Sequence, residues 1–132
     1  MADIVSIALS GMNAQSQRLA ASASNIANMT TTGRLPTGNN PDSTVYKPLT
    51  VSYSPLLSGG VMAQVNEDAQ GYSAVYMPTS PHADAEGLIA APNVDLATET
   101  VNLMTTKTVY KANLSVLRTY QDMMGDLMDT LT

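Results

Sequence analysis

Residues 96–131 read LATETVNLMTTKTVYKANLSVLRTYQDMMGDLMDTL, and this stretch decides the expected fold class. Leu96, Leu103, Tyr110, Leu117, Met124 and Leu131 recur seven residues apart, with Thr100, Lys107, Leu114, Gln121 and Met128 in companion positions. A seven-residue repeat held this long keeps one seam turned toward a partner helix. It favours supercoiled pairing over a helix wrapped around a globular core. Asp95 stands just before the repeat as a capping residue, with Thr98 and Glu99 in the first turn. Asn113 and Gly125 are weak points for a helix, but no proline interrupts the run.

The chain start carries a second helical pattern. Val5, Ala8, Met12, Gln15, Leu19, Ser22, Ile26 and Met29 follow at intervals of three and four, a mostly apolar seam behind Asp3 as N-cap. Met29-Thr30-Thr31-Thr32-Gly33 ends it with β-branched residues and a glycine.

Between the two lie all seven prolines and most of the glycines. Gly38-Asn39-Asn40-Pro41 and Ser58-Gly59-Gly60 carry turn chemistry. Val45–Tyr53 reads as a short strand, with Pro48 demoting it to an edge or a kinked piece. Val61–Val65 and Tyr72–Tyr76 are its candidate partners. The expected architecture is mainly α: long N- and C-terminal helices pairing as an α-helical coiled coil, with a small β-hairpin and extended loop region between them. Three regions follow: residues 1–30 and 93–132 as the helices of one core, and 31–92 as loop and short strands.

The energetics of such a hairpin are close. Burying one Leu or Met side chain contributes roughly 1.5–3 kcal/mol, whereas ordering each residue costs roughly 1–2 kcal/mol in backbone entropy. Gln15 and Ser22 dilute the first seam, and Asp122, Asp126 and Asp129 crowd a helix C-terminus, where the dipole disfavours anions. The isolated monomer is therefore expected to be marginal, with neighbouring subunits completing its burial.

Composition excludes several classes. A net charge of −5 and six scattered cations (Arg18, Arg34, Lys47, Lys107, Lys111, Arg118) offer no basic face for nucleic acid or an anionic membrane. With no cysteine there is no disulfide, thiol nucleophile or thiolate metal site. Phe and Trp are absent while Met is plentiful, which suits adaptable helix seams. The N-terminal residues lack a basic stretch and a long apolar run, so they make a poor cleavable signal peptide. The single histidine sits in Pro81-His82-Ala83-Asp84-Ala85-Glu86-Gly87. A metal loop of His82, Asp84 and Glu86 is one reading, and a solvated turn before the second helix is the plainer one. No Ser-His-acid arrangement comes with an organising motif, and no glycine loop leads into a Lys and a helix start. No small-molecule substrate, cofactor or enzymatic activity is expected.

Two segments carry a resemblance. Ala23-Ser24-Asn25-Ile26-Ala27-Asn28 resembles the Ser-Asn-(Leu/Ile)-Ala-Asn signature of the flagellar basal-body rod and hook family. Gly87-Leu88-Ile89-Ala90-Ala91-Pro92-Asn93-Val94-Asp95-Leu96, followed by Tyr110-Lys111-Ala112-Asn113, resembles the C-terminal half of its proximal-rod members. Lys111 stands where the family often has Glu, Thr108-Val109 replace a commoner Arg-Ala-like pair, and Leu88 replaces a frequent aromatic. The resemblance implies a structural subunit, exported uncleaved through the flagellar type III apparatus and assembled in the periplasm with its terminal helices forming the inner tube. It also implies torque transmission from the membrane ring toward the distal rod and hook. The implied neighbours are further copies, the other proximal and distal rod subunits, the ring–rod junction protein and the MS ring. A soluble helical adaptor outside the rod is the alternative.

The residues expected to carry assembly are Val5, Met12, Leu19, Asn25, Ile26 and Asn28 on the first helix, with Leu103, Tyr110, Asn113, Leu117 and Met124 on the second. Asn25 and Asn28 lie three apart on one helix face, where two roles are open: a polar helix terminus, or an amide clamp on a neighbouring subunit's backbone.

Overall fold

The computed structural model describes residues 3–36 and 44–130; Leu131 of the heptad row and the Gly38–Pro41 turn lie outside them. Two helices and four strands follow in the order α1 (Ile4–Asn28), β1 (Leu49–Pro55), β2 (Val61–Glu67), β3 (Tyr72–Tyr76), β4 (Leu88–Pro92) and α2 (Leu96–Asp129).

Both helices start on an aspartate. The Asp3 carboxylate accepts from the Val5 amide, and that of Asp95 accepts from the amides of Ala97 and Thr98 and from the Thr98 hydroxyl. These bonds satisfy amides that have no partner within a first helical turn. They lower the Asp95 pKa from its ordinary 3.8, the Thr98 hydroxyl contributing most and the two backbone amides next.

The strands form two separate antiparallel pairs. β1 and β2 make a hairpin running from Leu49 opposite Glu67 to Pro55 opposite Val61. β3 pairs with β4, Tyr72 opposite Pro92 and Tyr76 opposite Leu88. Tyr72–Tyr76 thus joins the segment before α2 and not the first hairpin. Beyond α1, Gly33 extends this second pair by a bridge to Ala90, each amide donating to the other's carbonyl at 2.9 Å. Ile89 and Ala90 are fully buried here, with Val45 nearly so.

This arrangement overturns the coiled-coil expectation. Strands take up about 21% of the described residues beside about 49% helix, in two sheets rather than one small hairpin. The helices do not mesh through their leucine rows either. A coiled coil needs large apolar knobs at the buried positions. The buried residues of α1 are Ala8, Ala14, Ala21, Ser22 and Asn25, and those of α2 are Glu99 and Thr106. The physical reason is that α1 is packed on two sides, against α2 and against the β1–β2 hairpin. Small side chains let the backbones approach closely. A Cβ on Gly11 would lie 2.9 Å from the Asn113 amide of α2. On the hairpin side, Gly60 (φ +94°) abuts Ser10, whose Oγ accepts from the Val61 amide at 3.1 Å.

Candidate assembly surface

The Ser24-Asn25 motif builds the junction that orients both helices. Asn25 is 2% exposed and has every hydrogen-bonding position of its amide engaged. Its Nδ2 donates to the Leu49 carbonyl at 2.9 Å and to Glu99 Oε1 at 2.6 Å. Its Oδ1 accepts from the Leu49 amide at 2.7 Å and from the Tyr46 hydroxyl at 3.0 Å, with Ser24 Oγ also 2.9 Å from that hydroxyl. One side chain thereby joins α1, the start of β1 and the first turn of α2. Glu99 extends the network through Asn102, and Arg18 donates to Asn102 Oδ1 at 2.6 Å. Buried polar groups that are all satisfied in this way specify one arrangement of the elements.

With the contact between helices filled by small and polar groups, the large apolar side chains are left on its flanks. One groove, about 740 Å3, runs along the far half of α2 beside Ile4 and is lined by Val116, Tyr120, Met123, Met124 and Leu127. A second, about 670 Å3, lies between the middle of the two helices, lined by Leu19, Leu103, Tyr110 and Leu114 with Gln15 and Thr106. Thr106 is 3% exposed, yet its hydroxyl has no partner among the described residues, and neither has the buried Gln15 Oε1. Met123, Leu127 and Met128 are more than half exposed at the end of α2.

The eleven residues singled out from the sequence separate into three situations. Leu19, Leu103 and Tyr110 come together in the second groove, and Met124 lies in the first. Val5, Met12, Ile26 and Leu117 are half-buried on the helix flanks. Asn25 spends its amide inside its own chain, Asn28 donates to the Ser24 carbonyl at 2.9 Å, and Asn113 donates to the Val109 carbonyl at 3.0 Å. Sequence reasoning missed Ile4, Val116, Met123 and Leu127. The signal was present as a second row, 116-120-123-127, at three- and four-residue spacing, overshadowed by the heptad row.

The loop before α2 is organised by Asp84, whose Oδ1 accepts from the amides of Glu86 and Leu88 at 3.0 and 2.7 Å. His82 donates its backbone amide to Ser80 Oγ. Among the described residues no three His, Cys, Asp or Glu side chains gather as a metal site, and no helix is long and apolar enough to cross a membrane.

Residues 6–33 match the family described as flagella basal body rod protein, and residues 85–130 match the flagellar basal body rod FlgEFG protein C-terminal family. The chain is 39% identical to the flagellar basal-body rod protein FlgC of Escherichia coli O6:H1 over 136 residues, covering 98% of this chain and 95% of that protein. It is 38% identical to FlgC of Yersinia enterocolitica with the same coverage, and 34% identical to FlgC of Agrobacterium fabrum over 95% of this chain and 91% of that protein. The chain belongs to the flagellar basal-body rod protein family. It is a structural protein of the flagellar basal body and not an enzyme. In this rod protein the two matched segments are the ones the junction ties together. Residues 6–33 hold Asn25 and Gly33, and residues 85–130 hold Ala90 and Glu99, their hydrogen-bond partners.

Proposed function

We propose that this rod subunit assembles through the outward faces of α1 and α2, and that the assembled rod passes torque from the membrane ring toward the distal rod and hook. In this reading residues 1–30 and 93–132 form the axial core and residues 31–92 the outer part. The observation that carries it is the pair of apolar grooves flanking the α1–α2 contact, which a lone chain leaves uncovered. Contiguous apolar surface of this kind marks a site of protein association. Leu19, Leu103, Tyr110 and Met124 line these grooves, and Val5, Met12, Ile26 and Leu117 are half-buried elsewhere on the two helices. Asn25, Asn28 and Asn113 contribute by fixing the helices rather than by reaching a neighbour.

The partners are other rod subunits, proximal and distal, the ring–rod junction protein, the MS ring at the base, and further copies of this chain. The subunit reaches the periplasmic rod through the flagellar type III export apparatus with no cleaved signal peptide. The alternative, a soluble adaptor that receives a partner helix in the same grooves, differs in where the protein is found. A rod subunit sediments with detergent-extracted basal bodies at a fixed ratio to the other rod proteins. A chain left wholly in the soluble fraction of flagellated cells would refute the rod reading.

A further inference from the structure

Three of the six cations lie on α2. Lys107, Lys111 and Arg118 are exposed along one side of the helix, and Lys107 and Lys111 rim the groove of Leu19, Leu103, Tyr110 and Leu114. Lys107 and Lys111 are one turn apart, a spacing at which like charges repel. Among the described residues the one ion pair is Lys47 with Glu67, and Lys107 and Lys111 have no acidic residue one turn away on α2. Farther along, Asp122 and Asp126 are exposed, again one turn apart, at the helix end whose dipole disfavours them. Like charges repel within each pair, although Arg118 stands one turn before Asp122, and the two pairs are opposite in sign.

We infer that the acidic end of α2 in one copy seats in the Lys107–Lys111 groove of a second copy, the two helices parallel and displaced by 15 residues. This rests on the reading of the chain as a rod subunit. Asp122 follows Lys107, and Asp126 follows Lys111, by the same 15 residues, about 22 Å at 1.5 Å per residue. The same displacement brings Gly125 level with Tyr110. A Cβ on Gly125 would meet nothing within 4 Å. The lone molecule therefore has no use for glycine there, and a glycine weakens a helix interior. Beside a neighbour's Tyr110, the missing side chain is room for the phenol ring. A head-to-tail contact of this kind leaves a free groove at one end and a free acidic tip at the other, so copies can continue to add. The antiparallel pairing of the same residues would close a dimer and stop growth.

The test is sedimentation of the purified full chain, with helicity followed by circular dichroism. The wild type is expected to form a concentration-dependent series beyond the dimer that dissociates at about 0.5 M salt, where charge screening is nearly complete. K107E/K111E and D122K/D126K each weaken association at least tenfold with helicity retained, and mixing the two variants restores the series. Gly125→Leu is expected to raise helicity while weakening association. A series that stops at a dimer, an unimpaired K107E/K111E variant, or tighter association by Gly125→Leu would overturn the inference. Basal-body sedimentation separates this from the rod reading: variants that associate normally in solution and still pellet with basal bodies refute the interlock alone. A wild type that never pellets refutes the rod assignment itself.

Discussion

Asn25 is the residue on which the arrangement of the elements turns. Its amide serves Leu49, Tyr46 and Glu99 at once. Asn25→Ala would leave the Leu49 amide and the Glu99 carboxylate buried without that partner. The expected loss of folding stability is about 3 kcal/mol, since a single orphaned buried group costs roughly 1–3 kcal/mol, read from chemical denaturation of the monomer. Asn25→Asp keeps an acceptor for Leu49 and Tyr46 but loses the amide donors to the Leu49 carbonyl and Glu99, so it is expected to be destabilised as well. Asp95 gives the fold a pH dependence. Its pKa in the folded chain is lowered from 3.8 by the Thr98 hydroxyl and the Ala97 and Thr98 amides. Because the folded value lies below the unfolded one, its stabilisation is complete above about pH 4 and is lost as pH falls through the lowered value. Amide exchange at Ala97 and Thr98 is expected to accelerate in that acid range relative to the centre of α2. In Asp95→Asn, which keeps an acceptor but no charge, that acid-specific acceleration should be absent.

The elements show what sequence periodicity can and cannot carry. Apolar spacing and capping aspartates mark where a helix runs, because both are local. The heptad row from Leu103 to Met124 gave no information on which side of α2 faces α1. That side is set by Asn25, Gly11 and the hairpin pressed against α1, contacts between residues distant in the chain. The same holds for β3. Its candidate partner in the sequence was the first hairpin, whereas the backbone of Leu88–Pro92 takes it, held in place by Gly33 and the Asp84 turn. Of the residues expected to carry assembly, Leu19, Leu103 and Tyr110 lie in one groove, whereas the row through Val116 and Met123 was hidden beneath the stronger repeat. At this scale the test is a charge placed in an apolar groove. Met123 is 64% exposed, so Met123→Asp is expected to leave the monomer's helicity unchanged while abolishing swimming of cells that still make the protein. Leu117→Asp, at a half-buried position, is expected to abolish swimming as well. Normal motility with Met123→Asp would remove that groove from the assembly surface.

In the whole molecule, small and polar groups fill the contact between the helices and large apolar ones are turned outward. The centre sets geometry: the Asn25–Glu99 bond and the Gly33–Ala90 bridge hold the two ends of the chain in one fixed relation. The flanks are left for association. A subunit built so has little apolar surface buried between its helices, which is why it gains by burying the rest against neighbours. The most direct measurement is a cryo-electron map of isolated basal bodies at side-chain resolution. Such a map is expected to show this chain within the rod wall, its Asn25 junction intact, and both the Ile4–Met123 and the Leu19–Leu114 grooves filled by side chains of adjacent subunits. A map in which both grooves face solvent while the β1–β2 hairpin carries the contacts between subunits would contradict it.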